Sequence, residues 1–200
     1  KFIVAFDSLR FSESVCEYAV KLARQNDAHL VGVFLDDFTR HSYKIYDLIA
    51  KEGFSEPRHT ELENKDRIKR KLAVDSFESA CQETGLNYSV HHDRSAAIKE
   101  VLHESIYADL LLIDNSETLT NYTEKVPSEF LRDLLMQSHC PVLLVPRHFK
   151  EISRLILLYD GEPSSIHAIK MFSYTLASLN QLPIELISVK DIGDNLHVPE

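Results

Sequence analysis

Three uncharged apolar runs, each ending at an aspartate, restrict this chain to very few folds. Phe2-Ile3-Val4-Ala5-Phe6 stops at Asp7, Leu30-Val31-Gly32-Val33-Phe34-Leu35 at Asp36, and Leu110-Leu111-Leu112-Ile113 at Asp114. Short runs without polar alternation belong to strands covered on both faces, which is the situation of parallel strands flanked by helices. Between the first two runs, residues 12–25 place Val15, Ala19, Leu22 and Ala23 on one helical face. Ser12 can cap that helix, or Ser14 with Glu17 can form a capping box. Strand, helix and strand in this order imply a right-handed crossover and a parallel pair.

The same alternation continues down the chain. Residues 36–60 are the least regular stretch, with a short helical turn expected at 43–49. A charged helix is expected over 61–84, turning Ile68, Leu72, Phe77 and Ala80 toward a sheet, with Gly85 placed for a left-handed C-terminal cap. Residues 87–92 alternate as a third strand. Residues 95–105 form a helix with Ala97, Ile98, Val101 and Leu102 inward, and 109–113 the fourth strand. Ser128 is positioned to cap a helix over 128–137 whose inward residues are Phe130, Leu131, Leu134 and Leu135. Val142-Leu143-Leu144-Val145 is the fifth strand, between Pro141 and Pro146.

The pattern then restarts. Leu155-Ile156-Leu157-Leu158-Tyr159-Asp160 echoes the opening run, a helix starts at Ser164 or Ser165, and 184–189 is another strand. A repeat spacing of about 150 residues suits tandem domains and is too long for a solenoid. The expected organisation is one α/β domain over 1–150 and an incomplete second copy over 151–200. A single strand-helix-strand unit makes too small a core for independent stability. The second copy is therefore expected to need either the missing remainder of its domain or a homo-oligomer that completes it.

Composition excludes several functions. A net charge of -9 with 22 Lys plus Arg argues against nucleic acid and against an anionic membrane surface. No apolar run reaches the ~20 residues of a membrane span. The opening run is a strand already underway rather than a signal peptide, so an initiator methionine or tag is expected to be missing. Cys16, Cys81 and Cys140 are odd in number and widely spaced, which fits reduced thiols in a cytoplasmic protein.

The opening strand-helix-strand unit, the closing Cys140-Pro141-Val142-Leu143-Leu144-Val145-Pro146, and the second opening Leu157-Leu158-Tyr159-Asp160-Gly161 with Pro163-Ser164-Ser165 resemble the universal stress protein family, in its tandem two-domain form. The resemblance implies an open parallel five-stranded sheet of order 3-2-1-4-5 with helices on both faces, followed by a partial repeat. The order would switch between strands 1 and 4, where open α/β sheets bind ligands. Many members of that family look like adenine-nucleotide binders. By resemblance the cleft residues here are Asp7 beside the nucleotide, Val33 and Leu35 near the base, and Asp114 and Ser128 bounding the phosphate loop.

That loop departs from the family pattern. Asp114-Asn115-Ser116-Glu117-Thr118 carries neither glycine of the phosphate-binding motif, and Ser128-Glu129 stands where its final Gly-Ser would be. Glycines there allow positive φ and let backbone N–H groups close around phosphate. Their absence, with Asp114, Glu117 and Glu129 adding negative charge, disfavours ATP in the first domain, so no cofactor is expected there. Asp160-Gly161 opens the second copy in the family manner, and a phosphate loop for it would lie beyond Glu200.

Other constellations have plainer readings. Asp7, Asp36 and Asp114 could gather Mg²⁺, but aspartates are ordinary where strands give way to helices. His91 and His92 point to opposite faces of a regular strand and cannot share one ion. Cys140 lacks a histidine aimed at it. The expected function is a non-catalytic, cytoplasmic, stress-response-type protein acting through protein association or small-ligand sensing. The alternative is an adenine-nucleotide binder with slow or no ATP hydrolysis, through a complete second domain.

Overall fold

The computed structural model describes residues 1–36, 56–92, 96–120 and 124–188. Among them run β1 (Phe2–Asp7), α1 (Glu13–Gln25), β2 (Leu30–Leu35), α2 (Glu56–Glu83), β3 (Tyr88–His92), α3 (Ala97–Ser105), β4 (Leu110–Asp114), α4 (Glu129–Gln137) and β5 (Val142–Val145). A second series follows: β6 (Leu155–Tyr159), α5 (Pro163–Thr175) and β7 (Ile184–Ser188). The expected helical turn at 43–49 lies outside the described residues.

The chain divides into two compact units, Lys1–Phe149 and Lys150–Glu200. In the first, five parallel strands form one sheet of order β3-β2-β1-β4-β5. Helices flank both faces, and in the second unit β6 and β7 form a smaller parallel sheet, a partial repeat of the first. No helix among the described residues is long and apolar enough to cross a membrane.

Side-chain alternation divides the first core in two. Ile3, Ala5, Val31, Val33, Leu111 and Ile113 face a layer in which α3 contributes Ala97 and Val101, and α4 Leu131 and Leu134. On the other face Phe6, Phe34 and Phe77 bring their rings together at 5.2–6.0 Å between centroids. Gly32 makes room for Phe77, since a Cβ at position 32 would stand 2.7 Å from Cε1 of that ring.

That contact also sets the rotation of α2, which differs from the expectation. The helix begins at Glu56, earlier than expected, with Pro57 in a first turn where a missing N–H breaks no intrahelical bond. Its inward stripe is Asp66, Ala73, Phe77 and Cys81, while Ile68 and Leu72 are exposed. Arg70, on the same stripe, pairs with Asp36 at the end of β2, Nε to Oδ2 2.8 Å. Phe77 beneath Gly32 and Arg70 on Asp36 leave the Ile68–Leu72 side in water. The helix ends as expected. Gly85 sits at φ 64°, Leu86 N–H donates to the Cys81 carbonyl, and Gly85 N–H donates to that of Gln82.

Two further expectations are corrected. Leu135 on α4 is exposed, because Leu131 and Leu134 take the buried stripe. Neither serine at the start of α1 caps it: Ser12 stands at the N-cap without a side-chain cap bond, and Ser14 lies within the helix. Ser128 does cap α4, its Oγ accepting Leu131 N–H at 3.2 Å.

Gly32→Ala should lower stability by about 1–3 kcal/mol through overpacking against Phe77. Adding Phe77→Leu should cost less than the two single changes summed, because the clash disappears with the ring. Urea unfolding of the four proteins checks this, and strict additivity would refute the contact as the cause.

Candidate functional site

The strand order reverses between β1 and β4, the place at which open α/β sheets form a ligand crevice between diverging loops. Asp7 closes β1 and is buried. Its Oδ1 accepts Leu9 N–H at 2.9 Å and its Oδ2 accepts Arg10 Nε at 2.8 Å. Ser8 N–H donates to the Leu35 carbonyl at 3.0 Å, which fastens this turn to the end of β2. Asp114 closes β4. Its Oδ1 accepts Ser116 N–H at 2.8 Å and Ser116 Oγ at 2.6 Å, and its Oδ2 accepts Ser12 Oγ at 3.2 Å. Ser14 Oγ donates to the Pro146 carbonyl at 2.7 Å. Both serines at the start of α1 therefore tie the ends of β4 and β5 to that helix.

Arg10 spans the crevice. From its ion pair with Asp7 it extends Nη2 to Glu117 Oε1 at 3.3 Å and to the Thr120 carbonyl at 3.1 Å. Glu117 Oε1 also accepts Thr118 N–H at 2.9 Å and Leu119 N–H at 2.7 Å. Successive N–H groups aimed at one oxygen make an anion-binding nest. Leu119 supplies the needed bend at φ 52°, a region that bulky residues seldom occupy, and its side chain is buried in the core. The loop without glycines thus forms a nest after all, and its own carboxylate fills it.

The N-terminus of α4 is filled in the same way. Glu129 N–H donates to Glu124 Oε2 at 2.9 Å, beside the Ser128 cap. Ser128 Oγ donates in turn to the Glu117 carbonyl. Side chains of the chain itself hold the donors that an anion would use at both positions.

Burial pushes the Glu117 carboxyl above its ordinary range, and the Asp7 charge adds to this; the Leu119 and Thr118 N–H groups and Arg10 pull against it. Partial burial works against the Arg10 charge, but its hydrogen bond to Asp7 and the charges of Asp7, Glu117 and Asp114 hold its pKa above the usual guanidinium value.

Asp7 and Ser128 therefore meet in one network through Arg10 and Glu117, and Asp114 joins it through its carbonyl, which accepts Glu117 N–H at 3.1 Å. Val33 and Leu35 do not join it: their side chains are buried in the core with Ala5, Ile113 and Leu119, and the Leu35 carbonyl is already bonded to Ser8. Asp36 lies with Arg70, apart from the other two aspartates in its bonding. Among the described residues no group of three or more His, Cys, Asp or Glu is disposed to hold a metal. His91 and His92 take opposite faces. His91 Nδ1 lies 2.8 Å from Glu104 Oε1, while the His92 ring packs on Phe34. Burial pushes the Cys16 and Cys81 thiols up to about 12 and raises that of Cys140, so none offers a ready thiolate.

Sequence reasoning assigned Glu117 only to repulsion of an anion and missed that it takes the anion's place. The available signal was the adjacency of strands 1 and 4, which brings the loop holding Arg10 beside the loop holding Glu117.

No family model matches the chain, and no curated protein matches it. Similar solved structures include a universal stress protein family member from Burkholderia pseudomallei at 19% identity and TM-score 0.47, covering 72% of this chain and 95% of that one. A universal stress protein from Archaeoglobus fulgidus is similar at 16% identity and TM-score 0.48, covering 72% and 96%. A family protein from Arabidopsis thaliana with AMP bound is similar at 12% identity and TM-score 0.48, covering 74% and 93%. Likeness at this level assigns no residue and no activity.

The raised Glu117 carboxyl has a defined effect on stability. The folded state holds that proton more tightly than the unfolded chain does. Its contribution is fully present below the unfolded carboxyl range and is lost as pH rises through the folded value. Glu117→Gln removes this titration while keeping an acceptor for the Thr118 and Leu119 N–H groups. The variant should gain stability relative to the parent as pH is raised from about 4 to 7. Urea midpoints across that range measure it, and a difference independent of pH would refute it.

Proposed function

We propose that this is a non-catalytic, cytoplasmic protein of the universal-stress type that acts through protein association, with its first-unit cleft closed to nucleotide phosphates. The observation that carries this reading is the Glu117 carboxylate on the N–H groups of Thr118 and Leu119, clamped by Arg10. A phosphate entering there must displace a carboxylate tethered to the same loop. It must also approach Asp7, which bonds Arg10, and Asp114, whose partners are the hydroxyls of Ser12 and Ser116 and the Ser116 N–H. Asp7, Asp114 and Ser128 then serve as the frame of a vestigial nucleotide cleft, and Val33 and Leu35 support the neighbouring strand from within the core. Sensing of a small ligand remains compatible only for a ligand that does not compete for these donors.

Absence of catalysis agrees with the chemistry of the site. The carboxylates are engaged with arginine, hydroxyls and backbone N–H groups, and the thiols are held protonated. The three cysteines are unbridged, which supports a reducing compartment. The alternative, adenine-nucleotide binding through the second copy, draws on Asp160-Gly161 and the exposed turn around them.

Thermal unfolding with and without Mg-ATP tests the proposal. A ligand at 100 times its Kd adds about 2.7 kcal/mol to the folded state, roughly 5–10 °C in midpoint for a chain of this size. The expected result is no shift. A rise on that scale would overturn the closed-cleft reading.

A further inference from the structure

The nest at Thr118 and Leu119 is pinned by contacts that do not involve the carboxylate filling it. Glu117 N–H donates to the Asp114 carbonyl at 3.1 Å, and Ser128 Oγ donates to the Glu117 carbonyl, so the backbone is fixed on both sides of residue 117. The Leu119 side chain is buried in the core, and Thr120 N–H donates to Thr118 Oγ1 at 3.2 Å. Arg10 is anchored independently as well. Its Nε holds Asp7 Oδ2 at 2.8 Å, while Nη2 is the atom that reaches Glu117. The Thr118 and Leu119 N–H groups and Arg10 Nη2 would therefore keep their places if the Glu117 side chain swung away. Backbone N–H groups converging beside a guanidinium are the donor set of a small-oxyanion site. The Arg10 side chain is half exposed, so an anion from solvent can meet it.

Charge is what holds the plug in place. Hydrogen bonds to an ionised acceptor are roughly twice as strong as neutral ones, and a neutral carboxyl also forfeits its ion pair. Here one guanidinium serves two carboxylates, Asp7 and Glu117, and the Glu117 side chain is only 10% exposed. Burial and the Asp7 charge both favour its neutral form. The other charged groups around the loop bond elsewhere. Asp114 accepts from Ser12 and Ser116, Glu124 from Thr120 Oγ1 and Glu129 N–H, and Arg147 Nε donates to Ser116 Oγ.

We infer that Glu117 is a proton-released plug, which on becoming neutral yields the nest and Arg10 to one small inorganic oxyanion. This rests on the closed-cleft reading, which describes the charged carboxylate, and adds the regulation of that site. One proton taken up by Glu117 accompanies one anion bound. By linkage the anion binds more tightly as pH falls, and its binding raises the proton affinity of Glu117 by the same factor. A free oxyanion is the occupant rather than a nucleoside phosphate. Val33 and Leu35 are buried in the core and the Leu35 carbonyl is bonded to Ser8, which leaves these groups nothing to offer a base.

Amide NMR spectra of the full chain, titrated with sodium sulfate from about pH 7 down to about pH 4, test the inference. Sulfate keeps the same charge over that range. In the parent, the Thr118 and Leu119 signals should move saturably only toward the acid end, with affinity rising by up to about tenfold per pH unit. Glu117→Gln keeps the acceptor oxygen without the charge. It should bind sulfate already at neutral pH, with a weaker pH dependence than the parent and the rest of the spectrum unchanged. Adding Arg10→Gln to that variant should weaken sulfate about tenfold. AMP should bind Glu117→Gln no more tightly than inorganic phosphate does. A Glu117→Gln variant whose Thr118 and Leu119 signals move no more than the rest would overturn the plug, as would a parent response indifferent to pH. Much tighter AMP would overturn the free-oxyanion assignment. Mg-ATP stabilisation of the parent at neutral pH is read separately and strikes the closed cleft itself, so the two failures are distinguishable.

Discussion

β1 is bonded on both sides and covered on both faces, and that double enclosure organises the first unit. Phe2 to Phe6 are buried without exception, β2 lies along one edge and β4 along the other. A strand with no solvent face has no polar alternation to lose. It also cannot end until a charge is reached, and the charge it reaches is Asp7. Burial of that carboxylate is tolerated because Arg10 and Leu9 N–H meet it at once. The crevice, its bridging arginine and the turn that presents it therefore follow from where β1 has to stop.

The opposing loop solves a related problem. Residues after β4 must turn back toward α4 without glycine, and their N–H groups need partners away from bulk water. Glu117 supplies one oxygen for two of them, Ser128 ties its carbonyl, and Glu124 meets the first free donor of α4. The strain of Leu119 in the left-handed region is offset by a buried apolar side chain and by the bond its N–H makes. Arg10 joins the two loops by bonding Asp7 at the end of β1 and Glu117 in the loop after β4. The result is a loop bonded within itself and to the start of α4.

Much of this was legible in the amino-acid sequence, and the remainder was not, for physical reasons. Buried strands announce themselves by uninterrupted apolar residues, which is why β1, β2 and β4 and the parallel α/β class could be read directly. The strand order came from likeness to a family, since periodicity says nothing about which strands become neighbours. Rotation of α2 was misjudged because Ile68 and Leu72 carry the stronger hydrophobic signal. The contacts that decide it, Phe77 under Gly32 and Arg70 on Asp36, lie between residues far apart in sequence. In the site, Asp7, Asp114 and Ser128 were identifiable from their places at element ends. Glu117 was misread because a carboxylate's bonding depends on loop geometry, and a leucine at positive φ is not an outcome that composition suggests.

Tethering gives the Glu117 carboxylate an advantage that no dissolved anion shares. A group confined to a short loop competes at an effective concentration in the millimolar range or above, whatever the surrounding solution contains. It is also already oriented, so no translational or rotational freedom is lost when it docks. A diffusing phosphate faces a competitor whose local concentration does not fall with dilution.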